Sequence, residues 1–188
     1  MELIALLLAL GSHECAHWVA AHLCNIPVRG LFPGAVGLRL RLHTIPSYRQ
    51  EWMICAAGPA VNFLTALVFL PLSPHSAFCT LLVRYALHMG TFNLLPIAGF
   101  DGGRMLYCTM ASLCGLRAAD ITATVLSSVC LLLLWFVSVY IVLRTASALS
   151  AMLFSFLLFV HIFVGDAQKE YGGNRRKREN VGDFRQIS

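Results

Sequence analysis

Long unbroken runs of apolar residues limit this chain more than any other feature, because a backbone segment in lipid must satisfy its own hydrogen bonds. Five runs approach the ~20 residues a spanning helix needs: segment A from Leu3 to Cys24, B from Trp52 to Leu72, C from Ala77 to Pro96, D from Ile121 to Leu143 and E from Ala146 to Gly165. A shorter stretch, Asp101 to Leu116, is apolar enough to be partly buried but too short to span. Composition agrees, with 58% hydrophobic and 12% charged residues, about half the charge of a soluble domain. The expected architecture is an all-α polytopic membrane protein of five transmembrane helices, one short partly buried helix and a small β-hairpin or strand segment. One membrane-embedded domain over 1–166 leaves a basic tail, 167–188, read as disordered and held near anionic lipid by Arg175 to Arg178. Segment A has acidic Glu2 before its apolar core and no small-residue cleavage pattern after it, so it is read as a retained helix rather than a leader.

Basic residues orient these segments. The stretch 25–51, the stretch after segment C and the tail together carry twelve of the fourteen Lys and Arg. The bias predicts that these three face the cytoplasm, with the N-terminus outside. Within the first, Leu38-Arg39-Leu40-Arg41-Leu42 alternates in strand fashion after the turn chemistry of Pro33-Gly34; an amphipathic surface loop is the other reading. The seven cysteines form no CxxC pair and lie mostly in apolar runs, which suggests packing residues rather than a disulfide frame or a thiolate metal site.

Polar residues inside apolar runs are costly, so they direct attention to function. Segment A contains His13-Glu14-Cys15-Ala16-His17, the HExxH pattern. Histidines at i and i+4 share a helix face and can reach one metal ion, with the glutamate placed to take a proton from a metal-bound water. Polar glue between helices is the bland alternative. A catalytic zinc takes three protein ligands and keeps one open position, which leaves one ligand to find. Asp101 is the candidate, in Asn93-Leu-Leu-Pro96-Ile-Ala-Gly99-Phe-Asp101-Gly-Gly-Arg104. Pro96 and Gly99 break the helix there, and broken backbone at membrane depth is tolerated where it lines a cavity. Asp101 could instead, or also, cap the following short helix.

HExxH in a membrane helix followed by N-x-x-P-x-x-x-x-D-G resembles the site-2 protease family of intramembrane metalloproteases. Ala57-Gly58-Pro59-Ala60-Val61-Asn62 resembles the G-P-x-x-N stretch of that family's middle core helix. The resemblance covers about 3–116, and its wording is most similar to the sporulation-type (stage IV sporulation protease FB-like) branch, which processes a membrane-tethered pro-sigma factor. It implies one Zn2+ per chain on His13, His17 and Asp101, with Glu14 as base and Asn93 at the substrate or the developing oxyanion. It further implies that Asn62 assists at the substrate, an interhelical hydrogen bond being the alternative for both asparagines. The segment from Gly37 through Leu38 and Leu40 to Leu42 is implied to pair with an unwound substrate. The expected partners are a membrane-tethered protein substrate, the lipid bilayer and membrane regulatory proteins, with no nucleic acid, and the expected location is a bacterial cell membrane. Many members of that family carry a helix ahead of the HExxH helix; here the motif begins at His13, read as either a reduced form or a start placed late, and regulation by a PDZ or CBS module is not expected. His88 and His161 are read as helix-packing histidines. A membrane metal-ion transporter and a catalytically inactive, protease-like binding protein are the rival functions; the first would need ligands strung through the bilayer, the second a lost ligand or base.

Overall fold

A computed structural model describes residues 1–34, 37–42 and 46–145. Segment E with His161, the tail and His43 lie outside these residues. The described helices are α1 (Glu2–Leu23), α2 (Tyr48–Phe69), α3 (Ala77–Asn93), α4 (Asp101–Cys114) and α5 (Leu116–Thr145). Between α1 and α2, strands β1 (Val28–Gly34) and β2 (Gly37–Leu42) pair antiparallel, with an irregularity between Val28 and Gly30. Among the described residues, three helices are long and apolar enough to cross a membrane: Glu2–Leu23, Tyr48–His75 and Leu116–Ile141.

Local chemistry sets the helix ends. Asn25, at φ 56, turns the chain out of α1, a conformation asparagine tolerates better than most residues. Ser47 and Gln50 form a capping box at the start of α2: the Ser47 hydroxyl accepts from Gln50 N, and Ser47 N donates to Gln50 Oε1 at 3.0 Å. This cap starts α2 four residues before the apolar run of segment B. After Phe69, the prolines of Leu70–His75 tighten the chain into a 3-10 turn, and Ser76 caps α3. Gly115, at φ 85, reverses the chain in a single residue, so α5 begins at Leu116 rather than at the expected Ile121.

The packing inverts the pattern of a soluble domain. Small residues fill the interhelical contacts: Ala5, Ala9, Ala66 and Ala86 between α1, α2 and α3, and Ala111, Ala119 and Ala123 between α4 and α5. Large apolar residues, among them Leu3, Leu7, Leu67, Val125, Leu133 and Phe136, face outward. Lipid tails are as apolar as leucine and give no hydrophobic reason to hide it, so close backbone approach through small residues drives association instead. This outer surface is that of an integral membrane protein.

These contacts correct the reading of segment C as one complete span ending at Pro96. Phe69, at the end of α2, and Phe78, near the start of α3, pack against the same cluster, which holds Ala5, Ala66 and Leu82. Tyr48, at the start of α2, packs against the cluster that holds Tyr107 and Ala111 of α4. The start of α3 and the end of α4 thus lie at opposite ends of α2. With 17 and 14 residues, α3 and α4 rise about 26 and 21 Å. Neither covers the ~30 Å hydrocarbon core alone, and together they form one traverse broken at 94–100. α5 returns antiparallel to α4, with Ala119 and Ala123 against Tyr107 and Ala111, and Leu131 against Ile97 and Phe100.

Candidate metal centre

The break between α3 and α4 sits at the depth of the two HExxH histidines. His13 and His17 are buried on the face of α1 that meets α2, one helical turn apart, as their spacing requires. Asp101 is the first residue of α4, and Phe100 takes the N-cap position without a side-chain cap bond. The carboxylate is therefore not the helix cap; it turns toward α1. Asp101 Oδ2 lies 3.2 Å from His13 Nε2 and 3.2 Å from His17 Nε2, and the two ring nitrogens are 3.1 Å apart.

This triangle can be tested against a metal ion. Donor atoms about 2.0–2.2 Å from a tetrahedral Zn2+ lie roughly 3.3–3.6 Å from one another. The edges of 3.1, 3.2 and 3.2 Å are a slightly contracted version of one face of that tetrahedron, so the residues fit. Asp101 Oδ2 is itself a buried oxygen without a hydrogen-bond donor, a costly state that a cation would relieve. Among the described residues, these three form the one cluster of histidine, cysteine and acidic side chains able to hold a metal. The set of two imidazoles and one carboxylate matches catalytic rather than structural zinc.

One stripe of α2 holds the histidines in place. His17 Nδ1 donates to the backbone oxygen of Ile54 at 2.7 Å, which leaves Nε2 with a free lone pair facing Asp101. Four residues on, Gly58 gives the rings room: a Cβ there would collide with His17 Nε2 and approach His17 Cε1 to 2.6 Å and His13 Cε1 to 2.7 Å. Four further on, the fully buried Asn62 places its amide Nδ2 3.1 Å from His13 Nδ1. Pro59 lies within the same stretch. Lacking an N–H, Pro59 leaves the carbonyl of Cys55, next to the Ile54 acceptor, without an intrahelical donor.

The loop 94–100 is held as firmly. Ser127 of α5 accepts from Ala98 N at 2.9 Å and donates to Pro96 O at 3.3 Å, satisfying backbone that the broken helix leaves bare. Gly102 and Gly103 pack directly on Leu94 O and Ile97 O, where no Cβ could fit. Arg104, one turn beyond Asp101, reaches Glu51 of α2 at 3.3 Å. Nothing in the sequence marked Ser127, one of many hydroxyls in an apolar helix, and Gly58 stood out only as part of a motif.

The remaining candidates are placed as follows. Glu14 is partly exposed and within electrostatic reach of His13, His17 and Asp101. Asn93 donates to Met89 O of its own helix at 3.2 Å. Gly37, Leu38 and Leu40 lie on β2. His88 Nδ1 donates to Arg84 O within α3 at 2.7 Å. Gly58 follows Tyr48 by ten residues and precedes Phe69 by eleven, which sets the cluster of His13, His17 and Asp101 about 15–16 Å from either end of α2. It therefore sits at mid-helix, deeper than a position beyond the cytoplasmic end of segment C would imply.

Comparison with known proteins gives a likeness of fold. No family model matches the chain, and no curated protein matches it. A solved structure, a site-2 protease from Methanocaldococcus jannaschii, superposes with a TM-score of 0.60 at 22% identity, over 85% of this chain and 74% of that one. At that identity the shared property is the fold.

Proposed function

We propose that this chain is an intramembrane zinc metalloendopeptidase, which hydrolyses a peptide bond in or beside the transmembrane segment of a membrane-tethered protein. The observation that carries the proposal is the convergence of His13, His17 and Asp101, from two separate helices, to edges of 3.1–3.2 Å. Zinc, when bound there, would supply Lewis acidity and lower the pKa of water. Glu14, beside His13 and partly exposed, removes the proton from the attacking water and delivers it to the leaving nitrogen. Asn93, at the end of α3 where the helix breaks, is assigned to the scissile carbonyl as it gains charge. The β2 edge, Gly37 through Leu42, is assigned to the substrate, whose main chain must leave its helix before a carbonyl can be attacked. Helix-weak sequences near the membrane surface are the expected cleavage sites.

The fold likeness to a site-2 protease supports this reading. A transporter would string ligands along a path, whereas the described residues hold one cluster. Both the ligands and Glu14 are intact, which sets the chain apart from an inactive relative. The charge bias favours a multi-pass protein of a bacterial cell membrane with its C-terminus and active site toward the cytoplasm. A pro-sigma factor is the substrate its motif wording favours.

Co-expression with a tagged, membrane-tethered pro-sigma factor tests the proposal. The native chain should cleave it, while Glu14→Gln and Asp101→Asn should not. Cleavage that survives Glu14→Gln would refute the mechanism.

A further inference from the structure

We infer that Asn62 is a positioning residue for the metal centre: its Oδ1 accepts the Nδ1 proton of His13 and so fixes the ring in its metal-binding tautomer. The inference rests on the metal site proposed above and gives a task to the Gly58-Pro59-Ala60-Val61-Asn62 stretch beyond that of a packing motif.

His13 Nε2 faces Asp101 Oδ2 at 3.2 Å and His17 Nε2 at 3.1 Å, so Nε2 is the ligand atom. A neutral imidazole has one bare nitrogen and one protonated nitrogen. A lone pair on Nε2 therefore requires a proton on Nδ1, and that proton requires an acceptor. The Asn62 amide is wholly buried, so water cannot substitute for it, and its Nδ2 lies 3.1 Å from His13 Nδ1. An amide presents nitrogen and oxygen in nearly the same shape, and only the hydrogen-bond pattern assigns them. With Nδ2 toward the ring, Nδ1 would have to accept, Nε2 would carry the proton, and no lone pair would remain for a metal. The carbonyl oxygen must therefore face His13. In the structure Nδ2 faces the ring and Oδ1 meets no hydrogen-bond partner, so no second contact fixes the amide, and turning it over gives the oxygen a donor in His13 Nδ1–H.

The two histidines are thus held in the same way by the same helix. Ile54 and Asn62 stand eight residues apart on one stripe of α2, each beside an Nδ1, with Gly58 between them leaving space for both rings; with the amide oxygen toward His13, each supplies an acceptor for an Nδ1 proton. Backbone serves one histidine and a side chain the other. Hence mutation of one side chain can release the tautomer of His13 while His17 keeps its partner. A carbonyl on Nδ1–H also makes the opposite nitrogen a better donor to a metal.

Zinc affinity of the purified full chain, measured by competition with a chromophoric chelator, tests this with Asn62→Asp and Asn62→Leu. Aspartate can only accept, so Asn62→Asp should bind zinc within about threefold of the native chain, or more tightly. Leucine matches the volume without an acceptor and should lose 10–100-fold, the usual effect of removing such a partner. A purely packing role predicts the reverse order, with leucine tolerated and a buried carboxylate damaging. That order would overturn the inference. Should Asn62→Leu fail to fold, Asn62→Asp decides alone, since a tenfold loss of zinc in a folded variant contradicts an acceptor role. A native chain that binds no zinc sinks both this inference and the protease. A native chain that binds zinc and cleaves, but loses zinc in Asn62→Asp, sinks this inference only.

Discussion

Replacing Gly58 by alanine adds one methyl group, and the structure places it among the ligand rings. That methyl would collide with His17 Nε2 and lie 2.6 Å from His17 Cε1 and 2.7 Å from His13 Cε1. Non-bonded carbons settle about 3.5–4.0 Å apart, so the rings, or α1 with them, must retreat by about 1 Å. The triangle of ligand atoms has edges of only 3.1–3.2 Å, and metal–ligand distances tolerate about 0.2 Å. Alanine should therefore lower zinc affinity by about a hundredfold or more, equal to roughly 2.8 kcal/mol. The helix itself should not suffer, because alanine favours a helix over glycine by about 1 kcal/mol. Zinc competition in detergent, with far-ultraviolet circular dichroism as the control for folding, separates these effects. Native zinc affinity in a folded Gly58→Ala chain would refute the claim that this glycine exists to make room for the rings.

Glu14→Gln should keep zinc at one equivalent while turnover falls by about 10²–10⁴-fold, the usual contribution of a positioned base; equal losses of zinc and activity would make Glu14 a structural residue instead. Asp101→Asn removes the charged ligand and should lower both zinc content by elemental analysis and cleavage, whereas full zinc occupancy would assign the third ligand elsewhere. Ser127→Ala strips the loop 94–100 of a donor and an acceptor, and by the cost of leaving buried groups unpaired it should destabilise the chain by about 1–3 kcal/mol. Unchanged thermal unfolding in that variant would show that other contacts hold the loop. Removal of metal by a strong chelator should abolish cleavage reversibly, with activity restored by zinc; activity that persists in the metal-free chain would exclude a metal-dependent mechanism.

Apolar runs separated by proline, glycine and charge announce helices in lipid, since no other backbone satisfies itself there, and the i, i+4 histidines announce a shared face. Such facts are local, and periodicity carries them. The traverse formed by α3 and α4 was less legible. Pro96 and Gly99 signalled a break, but a break reads alike whether it falls at a membrane surface or at mid-helix, and only the contacts of Tyr48 and Phe69 at opposite ends of α2 set its depth. Single sites differed in the same manner. Asp101 could have been a cap or a ligand on sequence grounds, and the structure gives the N-cap position to Phe100 and turns the carboxylate to α1. Gly58, Asn62 and Ser127 act across helices, on partners 29–49 residues away, where no spacing rule reaches. What the sequence determined by itself was therefore which segments are helical in lipid and which side chains are chemically able to hold a metal, because both follow from residue type and short-range period. Only the tertiary structure decided that those side chains meet, at what depth, and what holds their rings, because those properties belong to helix packing rather than to any one helix.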